Sequence, residues 1–266
     1  MLNLFSIEWM KIKSYRAFWV LFGAFVVLFP VSFYYVASKF MTSSGSHQEE
    51  ALKRMVGNPF EFPRVWLSSG WFGGIFFVMI GMLFILLITN EVQYRTHRQN
   101  IIDGWSRFDF LKAKFMMLLF FVITATLLVF LCGLWVGSIY SPSTVSMTGG
   151  LYYVGYFALM ATMYLMVAYL IAILIKRTGL SIIVYFAFVC IVDNLLWILL
   201  TLKNGQGGYF LPLESTDSLV PNPFKPASIL NQRTVSDSSL IITAVGYMVI
   251  FGIFIKSYFQ KIDLKT

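Results

Sequence analysis

Charge is scarce in this sequence and is absent from long stretches of it. Charged residues make up 12% of the 266 residues and hydrophobic residues 58%, whereas soluble globular domains carry about 25% charged residues. A soluble globular protein is therefore excluded. A segment at 178–202 contains a single charged residue, Asp193, and five further segments contain no Asp, Glu, Lys or Arg at all: 17–37, 65–90, 115–139, 151–175 and 238–255.

These six segments are long enough to cross a membrane as helices. A helix rises 1.5 Å per residue, so about 20 residues span about 30 Å of hydrocarbon. Because no water is present in the hydrocarbon, the backbone N–H and C=O groups must bond one another within each segment, as they do in a helix. The alternation of apolar and polar residues that is typical of strands in a membrane β-barrel is absent from the sequence. The sequence predicts an all-α membrane protein with one transmembrane domain over residues 1–266 and six spans, at about 17–37, 67–90, 110–139, 151–175, 179–202 and 238–258.

Cysteine and histidine are also scarce, with two of each. Cys132 and Cys190 fall inside predicted spans, where they build neither a disulfide framework nor a metal-ligand pattern. His47 and His97 have no companion at metal-ligand spacing. The phosphate-binding G-x-x-x-x-G-K-[ST] and the zinc-binding H-E-x-x-H are missing too. The sequence therefore predicts no catalytic residue, metal site or cofactor in this chain.

Lysine and arginine are distributed unevenly between the connecting segments. Residues 1–16, 91–114, 176–177 and 256–266 hold 13 of the 20, and the other connections, although longer, hold seven. Cytoplasmic connections of membrane proteins carry such an excess. Both termini and the 91–114 segment are therefore predicted to face the cytoplasm. The net charge of +8 then reflects the orientation of the protein in the membrane and its contact with lipid headgroups. It does not indicate nucleic-acid binding.

Two connections have a distinctive composition. Residues 1–16 mix apolar side chains with Glu8, Lys11 and Lys13, as an amphipathic helix at the membrane interface does. Residues 203–237 are rich in glycine, proline and serine. We expect the first to form an interfacial helix and the second, on the outer side, to resist regular structure.

The 91–114 segment contains two helix-start signals. Residues 96–99 match a capping box, and Gly104 supplies the left-handed position that ends a helix. Residues 106–109 resemble a second capping box at the start of the third span. A helix of about seven residues, 97–103, is thereby predicted. It is too short to be stable alone in water, so it needs a partner surface, either lipid headgroups or another protein.

The same segment carries a set of residues at fixed spacing: Glu91 where span two ends, then Tyr94, Thr96, Arg98, Gln99, Gly104, Ser106, Arg107 and a lysine at Lys112 or Lys114. This pattern resembles the cytoplasmic loop of ABC-2 type transporter permeases. In that family the loop holds a coupling helix that docks into a cleft of the ATPase subunit. The alternative is an ordinary amphipathic loop whose arginines only follow the orientation rule.

The resemblance extends to the overall plan, which in that family comprises an N-terminal interfacial "elbow" helix, six spans and a long outer loop between spans five and six. It implies the permease subunit of a bacterial exporter in the inner (plasma) membrane, paired with a second copy or a sister permease. A separate ATPase subunit would bind ATP and Mg. The implied coupling residues are Glu91, Thr96, Arg98, Gln99, Ile101, Ile102, Gly104, Trp105, Ser106 and Arg107.

Four residues inside predicted spans have further possible roles. Asp193 and Asn194 lie within span five, and an intramembrane carboxylate indicates a functional polar site or a hydrogen-bonded structural one. Gly70 and Gly74 allow close approach of another helix, either in the same chain or across a dimer.

Two other classes of function compete with an ATP-driven permease. An ion-coupled secondary transporter is expected to have several intramembrane ionisable residues and inverted repeats, and the spans contain one carboxylate and no visible repeat. A membrane enzyme is expected to have clustered nucleophiles, acids or metal ligands, which the sequence lacks.

Overall fold

The computed structural model describes residues 2–42, 56–93, 107–142, 145–226, 233 and 235–261. These residues form helices and contain no β-strand. In chain order the helices are α1 Leu2–Lys13, α2 Arg16–Thr42, α3 Val65–Gln93, α4 Arg107–Tyr140, α5 Tyr152–Ile175, α6 Thr178–Ala187, α7 Asp193–Asn204, α8 Glu214–Asp217 and α9 Asp237–Lys261. A π-helical segment, Phe188–Val192, joins α6 to α7, and a 3₁₀ turn, Gly207–Phe210, follows α7.

Six helical segments are long and apolar enough to cross a bilayer, which confirms the predicted six-span, all-α class. Helices α6 and α7 form one of them together. The six segments are Arg16–Thr42, Val65–Glu91, Phe108–Tyr140, Tyr152–Ile175, Thr178–Leu202 and Asp237–Phe259.

The spans differ in how much of their surface the protein covers. In α3 and α5, 61% of the most apolar part is buried, whereas the shares for α2, α6 with α7, and α9 are 22%, 17% and 17%. The helices α3 and α5 therefore form the centre of the bundle. The other three present most of their apolar surface outwards, to lipid or to another chain.

Helix α2 packs through one aromatic face. Phe18, Phe25, Phe29 and Phe33 are buried, and their spacing of four and seven residues places them on one side of a helix. The ring of Phe33 lies 5.4 Å from that of Phe72 on α3. Edge-to-face aromatic pairs of this kind add about 0.5–1.5 kcal/mol beyond the burial of their area.

The predicted packing glycines of α3 contact helices of the same chain. An ideal Cβ on Gly74 would lie 2.6 Å from Met160 of α5, and one on Gly70 would lie 3.2 Å from Val220 and 3.7 Å from Phe157. The absence of a side chain therefore allows α5 to approach α3. These contacts lie within the chain, and a contact of the same glycines across a dimer stays a prediction.

The chain turns sharply between α5 and α6. Lys176 has a left-handed backbone with φ of 60°, and its N–H donates to the carbonyl of Ala172, which ends α5. Near this turn, Thr89 of α3 bonds Thr178 at 2.9 Å, and Tyr258 of α9 donates to the carbonyl of Ile173 at 3.0 Å. The ends of α3, α5, α6 and α9 therefore meet at the end of the bundle that carries α1, which we name the α1 end.

Candidate functional site

Only the two edges of the predicted coupling segment belong to the described structure. Glu91 lies near the end of α3, and Arg107 is the first residue of α4. The other predicted coupling residues lie outside the described residues: Thr96, Arg98, Gln99, Ile101, Ile102, Gly104, Trp105 and Ser106. The predicted helix over 97–103 and its capping boxes therefore stay predictions.

Four charged side chains meet beside this segment, in a cluster that we name the Lys114 network. Nζ of Lys114, on α4, lies 2.5 Å from Oε2 of Glu8 on α1 and 2.7 Å from Oε2 of Glu91 on α3. Lys11, also on α1, lies 3.0 Å from Oε1 of Glu8 and 3.4 Å from Oε1 of Glu91. Two carboxylates and two ammonium groups thus balance one another.

The Lys114 network is buried, unlike an ordinary surface ion pair. The side chains of Lys114 and Glu8 are 3% and 1% exposed, and that of Glu91 is 11% exposed. Burial acts to raise the pKa of Glu8, but the charges of Lys114 and Lys11 outweigh it and lower the pKa below its ordinary value. Glu8 is therefore held as a carboxylate at neutral pH.

Aromatic contacts hold α1 against the first and third spans. The ring of Trp9 lies 5.9 Å from Phe18 of α2 and 5.3 Å from Phe120 of α4, and Phe5 lies 5.8 Å from Phe120. Trp19 of α2 donates to the carbonyl of Lys13 at 2.8 Å. The predicted N-terminal helix is present, and its contacts are with α2, α3 and α4 through both apolar and charged side chains.

A cavity of about 280 Å³ opens beside the Lys114 network. Its lining includes the four charged side chains together with Tyr15 of the α1–α2 connection and Asn90 of α3. Nδ2 of Asn90 donates to the hydroxyl of Tyr15 at 2.6 Å. This bond forms a second link between the α1 region and the end of α3.

Sequence reasoning singled out Lys112 and Lys114 without separating their roles. The structure separates them. Lys114 is buried in the network, whereas Lys112 is about one-third exposed and its nearest carboxylate, on Asp109, is 3.9 Å away. Glu8 was identified only as part of an amphipathic helix. Its partner Lys114 is 106 residues further along the chain, a pairing that no local pattern indicates.

The predicted intramembrane pair Asp193–Asn194 lies where span five changes its helical geometry. Nδ2 of Asn194 donates to the carbonyls of Val189 and Cys190, at 3.3 and 3.4 Å, both within the π-helical segment. Asp193 is 3% exposed, and its carboxylate faces the backbone N–H groups of Leu213 and Glu214. The Asn194 side chain thus bonds carbonyls of the span, and the Asp193 side chain lies against a segment distant in sequence.

That segment corrects the expectation that residues 203–237 resist regular structure. The 3₁₀ turn Gly207–Phe210 and α8 fold against the spans, and Leu213, Leu219 and Val220 are buried. Apolar residues among the prolines and serines supply the contacts that fold this part of the connection. We name the end of the bundle that carries α8 the α8 end.

Two more carboxylates join Asp193 at the α8 end. Tyr164 of α5 donates to Oδ2 of Asp217 at 2.8 Å, and Ser218 donates to Oε1 of Glu214 at 2.6 Å. Burial raises the pKa of Glu214 to about 7, and the charge of Asp193 adds to this; the hydrogen bond from Ser218 and the charge of Lys225 oppose it. Within the described residues, no group of three or more His, Cys, Asp or Glu is arranged to hold a metal ion.

Comparison with known proteins assigns the chain to a family. Residues 4–194 match the family described as ABC-2 family transporter protein. The match begins in α1, includes the 91–114 segment and all four residues of the Lys114 network, and ends at Asn194 in span five. No curated protein matches the sequence. Since the family match covers most of the chain and the fold has six apolar spans, this protein belongs to the ABC-2 family of transporter proteins and is a multi-pass membrane permease.

Proposed function

We propose that this chain is the permease subunit of an ATP-driven exporter, and that residues 94–106 dock on a separate ATPase subunit which binds ATP and Mg. The observation that carries the proposal is the family match, since residues 4–194 include this segment. The sequence adds apolar Ile101, Ile102 and Trp105 beside Arg98 and Arg107, and aromatic and arginine side chains are frequent hot spots of protein interfaces.

The geometry at the edges of the segment supports this proposal. The pair of Glu91 and Lys114, 2.7 Å apart, joins the end of α3 to the first turns of α4. A docking segment transmits force to the spans only if its two ends are held firmly. A buried, charge-balanced network provides such an attachment.

We further propose that the α1 end faces the cytoplasm of a bacterial cell and that the protein lies in the inner membrane. The excess of lysine and arginine at this end supports the orientation. Two permeases, either two copies or this chain with a sister permease, would share the translocation path. The largely uncovered surfaces of α2, α6 with α7, and α9 leave room for such a partner.

A photo-crosslinking residue placed at Ile102 tests this proposal in the full chain in its native membrane. We expect an adduct whose mass spectrum identifies an ATP-binding-cassette ATPase, which also places this segment on the cytoplasmic side. The control is the same residue at Ser146, which is exposed at the α8 end and should give no such adduct. An ATPase adduct from Ser146 and none from Ile102 would refute both the docking site and the orientation.

One observation favours the alternative of an ion-coupled transporter. The structure brings three carboxylates, Asp193, Glu214 and Asp217, together at the α8 end, where the sequence showed only Asp193 inside a span. The Ile102 experiment also decides this question, because a transporter driven by ions alone gives no ATPase adduct.

A further inference from the structure

The ammonium group of Lys114 connects three helices at one point. It lies within 2.7 Å of carboxylate oxygens from Glu8 on α1 and Glu91 on α3, and Lys114 itself belongs to α4. Glu91 lies two residues before the end of α3 at Gln93. Lys114 lies seven residues after the start of α4 at Arg107, which is about 10 Å along a helix. The network therefore lies two residues from one end of the 94–106 segment and about two helical turns from the other.

The burial of these charges makes their geometry hard to change. A charged group that leaves its partner while still shielded from water loses its compensation, so breaking a buried pair is far more costly than breaking a surface pair. If the end of α3 moved relative to α4, Lys114 would lose Glu91, and if α1 moved as well, Lys114 would also lose Glu8. The rings of Trp9, Phe5 and Phe120 restrict α1 in the same place.

We infer that Lys114 is a positioning residue which, through Glu8 and Glu91, holds α1 and both edges of the 94–106 segment as one rigid unit. The inference rests on the proposed function for its consequence, which is that α1 moves together with the docking segment when the ATPase acts. The N-terminal helix is then part of the coupling apparatus and more than a membrane anchor.

Hydrogen exchange of the full chain in lipid nanodiscs tests the rigid unit without any partner. In Lys114→Met, we expect the amides of α1 and of residues 87–93 to exchange at least ten-fold faster, while those in the middle of α5 stay unchanged. Lys114→Arg keeps the charge and should retain protection. Lys112→Met is the matched control, since Lys112 is also on α4 but outside the network. Unchanged exchange in α1, or an equal increase in all helices, would overturn the inference.

A second variant covers the case in which Lys114→Met fails to insert into the membrane. Glu8→Gln removes one carboxylate on α1 and should also raise exchange in residues 87–93, although the substitution lies on another helix. If both variants are stable, the double variant should exchange little faster than Lys114→Met alone, because the two residues act through each other. Purely additive effects would contradict the inference.

The Ile102 crosslink, measured in the same variants, separates this inference from the proposed function. If the wild type gives an ATPase adduct but the amides of α1 exchange no faster in Lys114→Met, the docking site is supported and the rigid unit is refuted. Faster α1 exchange in Lys114→Met without any wild-type ATPase adduct would support the rigid unit and refute the docking site. If both hold, the adduct yield should fall at least three-fold in Lys114→Met and recover in Lys114→Arg.

Discussion

The two ends of this bundle stabilise buried carboxylates in opposite ways. At the α1 end, Glu8 and Glu91 are paired with Lys11 and Lys114 at 2.5–3.4 Å. At the α8 end, Glu214 and Asp217 accept hydrogen bonds from the hydroxyl groups of Ser218 and Tyr164. The pKa of Glu8 is lowered, whereas burial raises the pKa of Glu214 to about 7.

This difference separates a fixed region from one that responds to protons. Ion pairs keep Glu8 charged at neutral pH, which suits the role that we propose for the α1 end in receiving force from an ATPase. At the α8 end, burial favours the protonated form of the acids, and the pKa of Asp217 is raised well above its ordinary value for the same reason. Since burial raises the pKa of Glu214 to about 7, we expect interactions at the α8 end to change within the physiological pH range and this end to be the more adaptable of the two.

The largest effect is expected from breaking the Lys114 network. Lys114→Met removes the lysine that pairs with both Glu8 and Glu91, and removal of one member of a buried pair costs about 3–5 kcal/mol. Lys112→Met, a partly exposed control on the same helix and outside the network, should change stability by about 0.5 kcal/mol or less. The free energy of unfolding in mixed micelles measures both. Equal values for the two variants would show that the α1 end is not stabilised by buried charge.

A smaller effect is expected from the corresponding change at the α8 end. Asp193→Ala removes the carboxylate that faces the backbone N–H groups of Leu213 and Glu214, and a buried donor that loses its acceptor costs about 1–3 kcal/mol. Asp193→Asn keeps an acceptor oxygen and should cost less. Limited proteolysis within residues 207–220 reports this loss, since the segment is held through Asp193. Equal cleavage of both variants and the wild type would contradict the anchoring role.

The smallest effect is a difference in pH dependence between the ends. Because Glu214 holds its proton up to about pH 7 in the folded state and an unfolded chain releases it near pH 4.5, the α8 end should gain stability as the pH falls between these values. The pKa of Glu8 is lowered in the folded state, so its contribution to the stability of the α1 end is complete above pH 4.5 and is lost only as the pH falls below that value.

Hydrogen exchange at pH 5 and pH 8 measures this difference. After correction for the intrinsic rates, residues 207–220 should be better protected at pH 5, and residues 2–13 should be equally protected at both. Glu214→Gln should reduce the pH dependence of protection in residues 207–220. The part that remains is attributed to Asp217. A pH dependence that is the same at both ends would refute the contrast.

The six spans were predictable because a bilayer imposes a rule on single segments. A charge-free run of about 20 residues is visible in the sequence without knowledge of its neighbours, and the helical class follows from the same rule. Residues 91–114 resemble the cytoplasmic loop of ABC-2 permeases, and the family match over residues 4–194 confirms that family.

The contacts between segments were not predictable in this way. The pairing of Glu8 with Lys114 and the anchoring of α8 by Asp193 depend on how helices distant in sequence pack together. The loop composition of residues 203–237 suggested irregular structure, but Leu213 and Val220 supply apolar contacts that only the folded bundle makes available. Gly70 and Gly74 had two possible partners, and packing against α5 within the chain became evident only in the structure.

The most direct test of the account is the affinity of the ATPase for variants of the docking segment. Ile102→Asp and Trp105→Asp each place a charge at a proposed apolar anchor, where loss of a hot spot costs about 2 kcal/mol or more, a weakening of about thirty-fold. Ser146→Asp at the α8 end is the control. The account predicts that both docking variants insert normally but release the ATPase identified by the Ile102 adduct, while the control retains it. ATPase binding as tight in Ile102→Asp and Trp105→Asp as in Ser146→Asp would contradict it.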